Sequence, residues 1–336
     1  MSASEFEIIQ RYFVDSGLGF PRSELELGIG DDGALLRIPE DKVLTMSMDV
    51  LLETVHFSSA ADASLIANRA LAVNLSDMAA MAAQPLCFTM GLVLADSSQQ
   101  WLKSFSAGLL PLAREFNCPL VGGDTSRGSG LLNISIQVHG LCDPDRASLR
   151  SGAKANDRIY VSGKLGDGAI ALLSLGLKSH LGEAFALRNR DLPETCRQYF
   201  DDAYYRPQPR VRLAQAIKHL INSNIDISDG LLGDLGHICR ASKVGANVFL
   251  PQLPFSDSAK CCVEADNLVK AALFGGDDYE LCFTVAEQHC AEVESIAAGI
   301  GEEISCIGEI VEGEKLSCLD HDGREQKFDG HAYMHY

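Results

Sequence analysis

Five short segments of this chain set aspartate beside glycine or at the end of an apolar run. They are Asp31 and Asp32 in "GIGDDG", Asp49 in "SMDV", Asp124 in "GGDTSRG", Asp226 and Asp229 in "DISDG", and Asp277 and Asp278 in "GGDDYEL". Asp77 in "NLSDMAAM" joins them from a helical stretch. A single such segment reads as a turn with a solvated aspartate. Five restrict the fold far more, because a carboxylate carried into an apolar interior is costly unless it is paired. Few Lys or Arg lie near these segments. A hard cation such as Mg²⁺ is the natural partner, since it takes carboxylate oxygens and leaves positions open for phosphate oxygens and water.

The same charges decide how the chain can meet phosphate. Two unit charges about 4 Å apart repel by roughly 4 kcal/mol at an effective dielectric near 20, so bare aspartates would expel a polyphosphate and metal-bridged phosphate is the consistent reading. Gly28, Gly30 and Gly33 match G-x-G-x-x-G. That fingerprint needs a buried strand before it and a helix after it, whereas the polar "RSELEL" precedes and the strand-like "ALLRIPEDKVLTMSMDV" follows. A phosphate-loop lysine is also missing, because Leu follows Lys164 in "SGKLGDG". Neither "DHDG" nor "GIGDDG" completes a twelve-residue calcium loop.

Lys and Arg number 28 against 46 Asp and Glu, a balance of 28 − 46 = −18, which argues against duplex nucleic acid and anionic membrane as partners. The first fifteen residues, "MSASEFEIIQRYFVD", have acids where a secretory signal needs a basic start and an apolar run. No apolar run reaches the 18 residues of a membrane span. The expected setting is the cytoplasm. The eleven cysteines include no C-x-x-C pair and no Cys/His zinc spacing, so reduced core thiols are expected.

Strand and helix patterns mix throughout, giving an α/β (α+β) class, and 336 residues are comfortable for two domains. "VLTMSMDV" predicts a strand, 62–83 a buried helix on which Asn74 and Asp77 share a face, "PLCFTMGLVLA" and "LLNISIQVHGLC" two more strands, 99–117 a helix, and "VGGDTSRGSG" a loop. A polar, turn-rich segment around 142–163 predicts a boundary, dividing the chain into 1–145 and 146–336. Beyond it, "RPQPRVRLAQAIKHL" and "LLGDLGHICRAS" predict helices, "NIDISDG" a strand end and "YELCFTV" a strand.

With "LGIGDDGALL", "NLSDMAAM", "GGDTSRG", "DISDGLLGDLGHI" and "GGDDYELCFTV" in this order, the chain from about Phe6 to Tyr336 resembles the thiamine-monophosphate kinases. These belong to the superfamily of aminoimidazole ribonucleotide synthetase and selenophosphate synthetase. The resemblance implies an N-terminal ATP- and Mg²⁺-binding domain whose sheet pairs with its copy in a homodimer, and a C-terminal α/β domain completing the nucleotide and substrate site. It implies direct transfer of the γ-phosphoryl of ATP to thiamine monophosphate, with several Mg²⁺ ions and no phosphoenzyme. Magnesium ligands are implied at Asp32, Ser47, Met48 through its carbonyl, Asp49, Asp77, Asp124, Asp226 and Asp229. ATP contacts are implied at Gly123, Asp124, Arg150 and Ser228, and thiamine monophosphate contacts at His56, Asp277 and Tyr333. Two positions depart from the family pattern: Met48-Asp49-Val50 replaces Thr-Asp-Thr, and Asp277 replaces Glu. A thioether cannot take a hydroxyl's place on Mg²⁺, so only a backbone role survives at Met48.

By residue type alone, His56 reads equally as a solvated strand-end histidine, Tyr333 as a packing aromatic, Arg127 and Arg150 as surface cations, and Asp31 and Asp234 as turn or cap residues. Two other functions fit parts of the pattern. One is a superfamily enzyme with another acceptor, although no cysteine precedes Cys87 where selenophosphate synthetases carry a reactive one. The other is a non-catalytic binder of metal or nucleotide.

Overall fold

The computed structural model describes residues 5–94, 98–128, 130–179, 181–182, 185–188 and 192–328. It resolves into two compact units, one of Met1–Met78 and Ala83–Asp145, the other of Ala79–Ala82 and Arg146–Tyr336.

The first unit runs α1 (Glu5–Ile8) into a π-helical turn at Ile9–Val14, then β1 (Leu25–Leu27), β2 (Leu35–Leu36), β3 (Val43–Leu52), α2 (Ala63–Ala80), β4 (Gln84–Leu94), α3 (Gln99–Glu115), β5 (Leu120–Arg127) and β6 (Asn133–Cys142). Its four-stranded sheet has the order β3-β6-β4-β5. β3–β6 and β4–β6 are antiparallel, while β4 and β5 are parallel, which requires the crossover that α3 supplies. Alternation along β3 sorts its two faces: Leu51 is 3% exposed, whereas Met46, Met48 and Val50 are 58%, 54% and 43% exposed. α2 is rich in alanine and leucine and buried around most of its circumference, from Ile66 and Ala67 through Leu71 and Leu75 to Met78.

Two readings of this unit are corrected. "GGDTSRG" is not a loop: Leu120–Arg127 is a strand, because pairing with β4 overrides its turn-prone composition. A Cβ at Gly123 would lie 2.0 Å from the Met90 carbonyl oxygen, so only glycine lets β5 come this close to β4. Part of "RSELEL" is also strand, since β1 pairs with β2 across "GIGDDG". No helix follows that turn, and the dinucleotide fingerprint fails on this point.

The second unit runs β7 (Arg158–Ser162), α4 (Asp167–Ser174), α5 (Glu194–Tyr205), α6 (Val211–Ile217), β8 (Ile221–Asp226), α7 (Leu231–Ser242), β9 (Gly245–Phe249), α8 (Asp257–Cys262), α9 (Ala265–Phe274), β10 (Leu281–Val285), α10 (Cys290–Gly299), β11 (Ile304–Val311), β12 (Leu316–Leu319) and β13 (Glu325–Gln326). Its seven-stranded sheet has the order β13-β12-β9-β11-β7-β10-β8. The core joins Ile159, Val161, Ile225, Leu235, Ile238, Val248, Cys282 and Ile307. Among the described residues, no helix is long and apolar enough to cross a membrane.

One ion network braces this unit. Arg210 donates to both oxygens of Glu280, at 2.6 and 2.5 Å, and to Glu302 at 2.8 Å. Ser162 Oγ also donates to Glu280. Glu280 is 8% exposed, so removing its cation strands a buried charge. Arg210→Ala is therefore expected to cost about 3–5 kcal/mol. The cost should appear as an earlier unfolding transition in urea, and the charge-free pair Arg210→Met with Glu280→Leu should recover much of it.

Candidate functional site

The first unit brings Asp49 and Asp77 together where β3 meets α2. Ser47 Oγ donates to Asp77 Oδ2, and the Asp49 backbone N–H donates to Asn74 Oδ1 at 3.1 Å. Asn74 is held in turn by its own Nδ2, which donates to the Ala70 carbonyl one helical turn back at 2.9 Å. Odd-numbered residues of β3 point to this face and even-numbered ones to the other, so Ser47 and Asp49 face α2 while the Met48 side chain does not. Asn74 and Asp77, three apart on α2, meet the strand together.

Asp49 is caught between burial and a like charge. Desolvation chiefly, and then the Asp77 carboxylate, push its pKa up to about 7, against the weaker pull of Arg69. Arg69, 1% exposed, donates Nε to the His56 carbonyl at 3.1 Å. His56 Nδ1 accepts the Leu52 N–H at 3.0 Å, which leaves Nε2 to carry the proton of the neutral ring. His56 is thus fixed at the end of β3 instead of being merely solvated.

Asp32 and Asp124 are exposed. Asp31 Oδ1 accepts the Asp32 N–H at 2.8 Å, so Asp31 shapes the turn and leaves the Asp32 carboxylate outward. Asp124 lies on β5 one residue beyond Gly123 and accepts from Ser126 Oγ at 2.9 Å. Hydrogen bonds bring Ser47 to Asp77 and Asp49 to Asn74; the Asp32 and Asp124 side chains are exposed. Among the described residues, three His, Cys, Asp or Glu ligand atoms converge within 4.8 Å in one place, a group of thiols instead of carboxylates.

In the second unit the acidic residues lie on two loops in tight contact. Asp226 ends β8 at 6% exposure, and Ser228 and Asp229 follow before α7 begins. The Asp234 carboxylate accepts the N–H groups of Ser228 and Asp229, both at 3.1 Å, and so holds the loop's shape. Burial first, and the Asp229 charge second, push Asp234 up to about 7, while Arg150 opposes them. Arg150 is exposed, and its charge also helps to hold down the His237 pKa, which burial lowers most.

The facing loop, "FGGDDYEL", is strained. Asp277 and Tyr279 have φ of 62° and 51°, a left-handed conformation that bulky residues rarely adopt. A Cβ at Gly276, whose φ is 69°, would sit 2.3 Å from the Ser228 carbonyl oxygen. That carbonyl accepts the Asp277 N–H at 2.8 Å. Aspartate tolerates the left-handed region better than glutamate does, which suits the shorter carboxylate at 277. Asp278 accepts the N–H groups of Gly166 and Gly168 at the start of α4, at 2.8 and 3.1 Å, and burial raises its pKa well above the usual carboxylate range. Asp277 and Asp278 line a cavity of about 690 Å³ together with Lys164, Tyr199 and Arg206. Tyr333 lies outside the described residues.

Sequence reasoning singles out no role for Arg69; it marks Asp278 only as a member of the acidic motif "GGDDYEL", and Asp234 as a cap or turn residue, a reading its bonds to Ser228 and Asp229 fit.

Two family descriptions match the chain: AIR synthase related protein, N-terminal domain, over residues 30–142, and AIR synthase related protein, C-terminal domain, over residues 154–321. The thiamine-monophosphate kinase of Escherichia coli (strain K12) is 41% identical over 336 residues, covering 100% of this chain and 99% of that protein. Among solved structures, the thiamine-monophosphate kinase of Stenotrophomonas maltophilia K279a superposes with a TM-score of 0.83 at 36% identity, over 97% of this chain and 99% of that one. AaThiL complexed with AMPPCP and TMP superposes with a TM-score of 0.74 at 27% identity, over 100% of this chain and 99% of that one.

The apposition of Asp49 and Asp77 yields a stability prediction. Asp49→Asn removes a desolvated like charge, so in metal-free buffer the melting temperature is expected to rise by about 2–4 °C, measured by calorimetry with a chelator present. A fall would mean that the Asp49 carboxylate makes a contact the fold needs.

Proposed function

The chain belongs to the AIR synthase related proteins and, among them, to the thiamine-monophosphate kinases, and from that premise we propose that it transfers the γ-phosphoryl group of ATP to thiamine monophosphate in a Mg²⁺-dependent reaction, giving thiamine diphosphate and ADP. The observation that carries the reading is Asp49 against Asp77 on adjoining elements: burial and the Asp77 carboxylate both disfavour charge on Asp49, and the weaker pull of Arg69 does not offset them. Such a donor set suits a hard cation. Residues that would hold Mg²⁺ are Asp32, Ser47, Asp49, Asp77 and Asp124 of the first unit, Asp226 and Asp229 of the second, and the carbonyl of Met48. The Met48 side chain, 54% exposed on the opposite face of β3, supports a backbone role alone.

When bound, Mg²⁺ supplies neutralisation of phosphate charge and a template for in-line transfer. The protein need supply no general base: the nucleophile is a phosphate-monoester oxygen, largely dianionic at pH 7 because its second pKa is near 6. Gly123, Asp124, Arg150 and Ser228 are assigned to ATP. Gly123 carries no side chain to keep phosphate from the backbone, Ser228 sits in a loop shaped by Asp234, and Arg150 is an exposed guanidinium suited to a phosphate oxygen. His56, Asp277 and Tyr333 are assigned to thiamine monophosphate. Asp277 beside the second unit's cavity offers a carboxylate to a cationic or hydrogen-bond-donating ring. Residues 1–145 thus carry most of the metal set and 146–336 complete the nucleotide and acceptor sites. The cytoplasm is the fitting compartment, since it holds ATP and Mg²⁺ and keeps thiols reduced, and the structure's eleven cysteines are all free.

A homodimer is proposed on the exposed face of β3. Leu44, Met46, Met48, Val50 and Leu52 are 36–58% exposed at alternate positions on an edge strand. Such a stripe is an aggregation hazard unless covered, and a second copy of the same sheet is a matching cover.

Turnover of thiamine monophosphate by the purified protein is expected only with both ATP and Mg²⁺, and excess chelator should abolish it. Preference for another acceptor in a substrate panel would overturn the assignment. Arg150→Ala should lower kcat/KM for ATP by roughly 10- to 100-fold, the cost of one charge-assisted hydrogen bond. Met46→Asp combined with Val50→Asp should convert a species of twice the 36.2 kDa chain mass into one of single mass by light scattering.

A further inference from the structure

Three thiols far apart in sequence meet in the second unit. The Sγ atoms of Cys196, Cys261 and Cys262 all lie within 4.8 Å of one another. Cys196 is in the first turn of α5, and Cys261 and Cys262 are the last two residues of α8. Cys196 and Cys262 are 7% and 3% exposed, while Cys261 is open to solvent. Burial, and then the neighbouring sulfurs, push the Cys262 thiol up to about 12, so Cys262 holds its proton when no cation is near.

Two outcomes are open to three thiols at this spacing: a disulfide, or a shared metal. Cys261 and Cys262 are adjacent, and a trans peptide fixes their Cα atoms about 3.8 Å apart, below the usual disulfide range. A cation with sulfur ligands at about 2.3 Å needs its sulfurs roughly 3.8 Å apart, within reach of small side-chain rotations here. Soft thiolates select d¹⁰ ions, not Mg²⁺.

We propose that Cys196, Cys261 and Cys262 form a binding site for Zn²⁺, with three thiolate ligands and a fourth position open to solvent on the Cys261 side. Each coordinated sulfur gives its proton to solvent, so no redox partner is needed. This site is separate in chemistry from the oxygen donors assigned to Mg²⁺, and it stands whether or not the kinase reading does.

The site would clamp two helices already tied through one carboxylate. Tyr199, one turn after Cys196 on α5, donates to Asp167 Oδ2 at 2.6 Å. Ser256, the N-cap of α8, donates to Asp167 Oδ1 at 2.7 Å. Asp167 begins α4 and lines the same cavity as Asp277. A metal on the thiols therefore stiffens the wall of that cavity.

The test titrates the reduced, metal-free full-length protein with Cd²⁺ as a spectroscopic probe for Zn²⁺, anaerobically and with Mg²⁺ in excess. A thiolate-to-cadmium absorption band saturating at one equivalent per chain, and suppressed by competing Zn²⁺, is the expected result. Cys196→Ser, Cys261→Ser and Cys262→Ser should each weaken binding by roughly tenfold or more, and Cys318→Ser should leave it unchanged. Cys261 is exposed, so its variant reports on the site even if the two buried ones do not fold. Absence of the band at one equivalent, its persistence in Cys261→Ser, or formation of a Cys196–Cys262 disulfide in place of binding would overturn the proposal.

Discussion

The repulsion between carboxylates set into partly dry surroundings governs how both units are built. Asp49 and Asp77 face each other across β3 and α2, and neither burial nor the neighbouring acid favours charge on Asp49. Such an arrangement persists only if the scaffold fixes it more firmly than the charges push it apart. The fixing elements are neutral or backbone-directed. Asn74 binds the Asp49 N–H, Ser47 binds Asp77, and Arg69 spends a hydrogen bond on the His56 carbonyl.

The second unit meets the same problem by a different route. Its acids sit on loops, and the loops are held by main-chain hydrogen bonds. Asp234 binds two N–H groups of the 226–230 segment, and Asp278 binds two at the start of α4. Burial raises the pKa of both carboxylates, and the amide N–H groups they accept oppose that rise by favouring the charged form. The strained φ of Asp277 and Tyr279 belongs to this frame: the Asp277 N–H reaches the Ser228 carbonyl only because the loop turns through the left-handed region at Gly276 and Asp277. Glu280, the residue after Tyr279, is itself held by Arg210, which also donates to Glu302.

Local pattern made some of this legible. β3, α2, β4, β6, α7 and β10 follow from alternation or from helix-forming composition, and the acidic motifs mark the ends of several of them. β5 was hidden because "GGDTSRG" has turn composition, and what makes it a strand is a parallel partner reached through α3. α6 is confined to Val211–Ile217, shorter than "RPQPRVRLAQAIKHL" suggests, because the chain enters it through prolines and leaves it quickly for β8. The thiol cluster had no signature: Cys196 and Cys261 are brought together only by the packing of α5 against α8. The contacts of Arg69 and Asp278 run to the backbone of other segments, which spacing rules do not see.

β3 carries the closest coupling between fold and function. Its period of two assigns odd positions to Ser47, Asp49 and Leu51 against α2, and even positions to Met46, Met48 and Val50 on the open face. A hydroxyl at 48 would add nothing to the acidic site from the wrong face, and an apolar side chain there enlarges the stripe. Replacing a threonine by methionine at this position therefore trades polarity on the outer face for apolar area without disturbing Asp49. A one-residue slip of register would exchange the two faces, placing carboxylates in the open stripe and methionines against α2. Ten consecutive pairs with β6, from Val43–Cys142 to Leu52–Asn133, hold that register without a bulge.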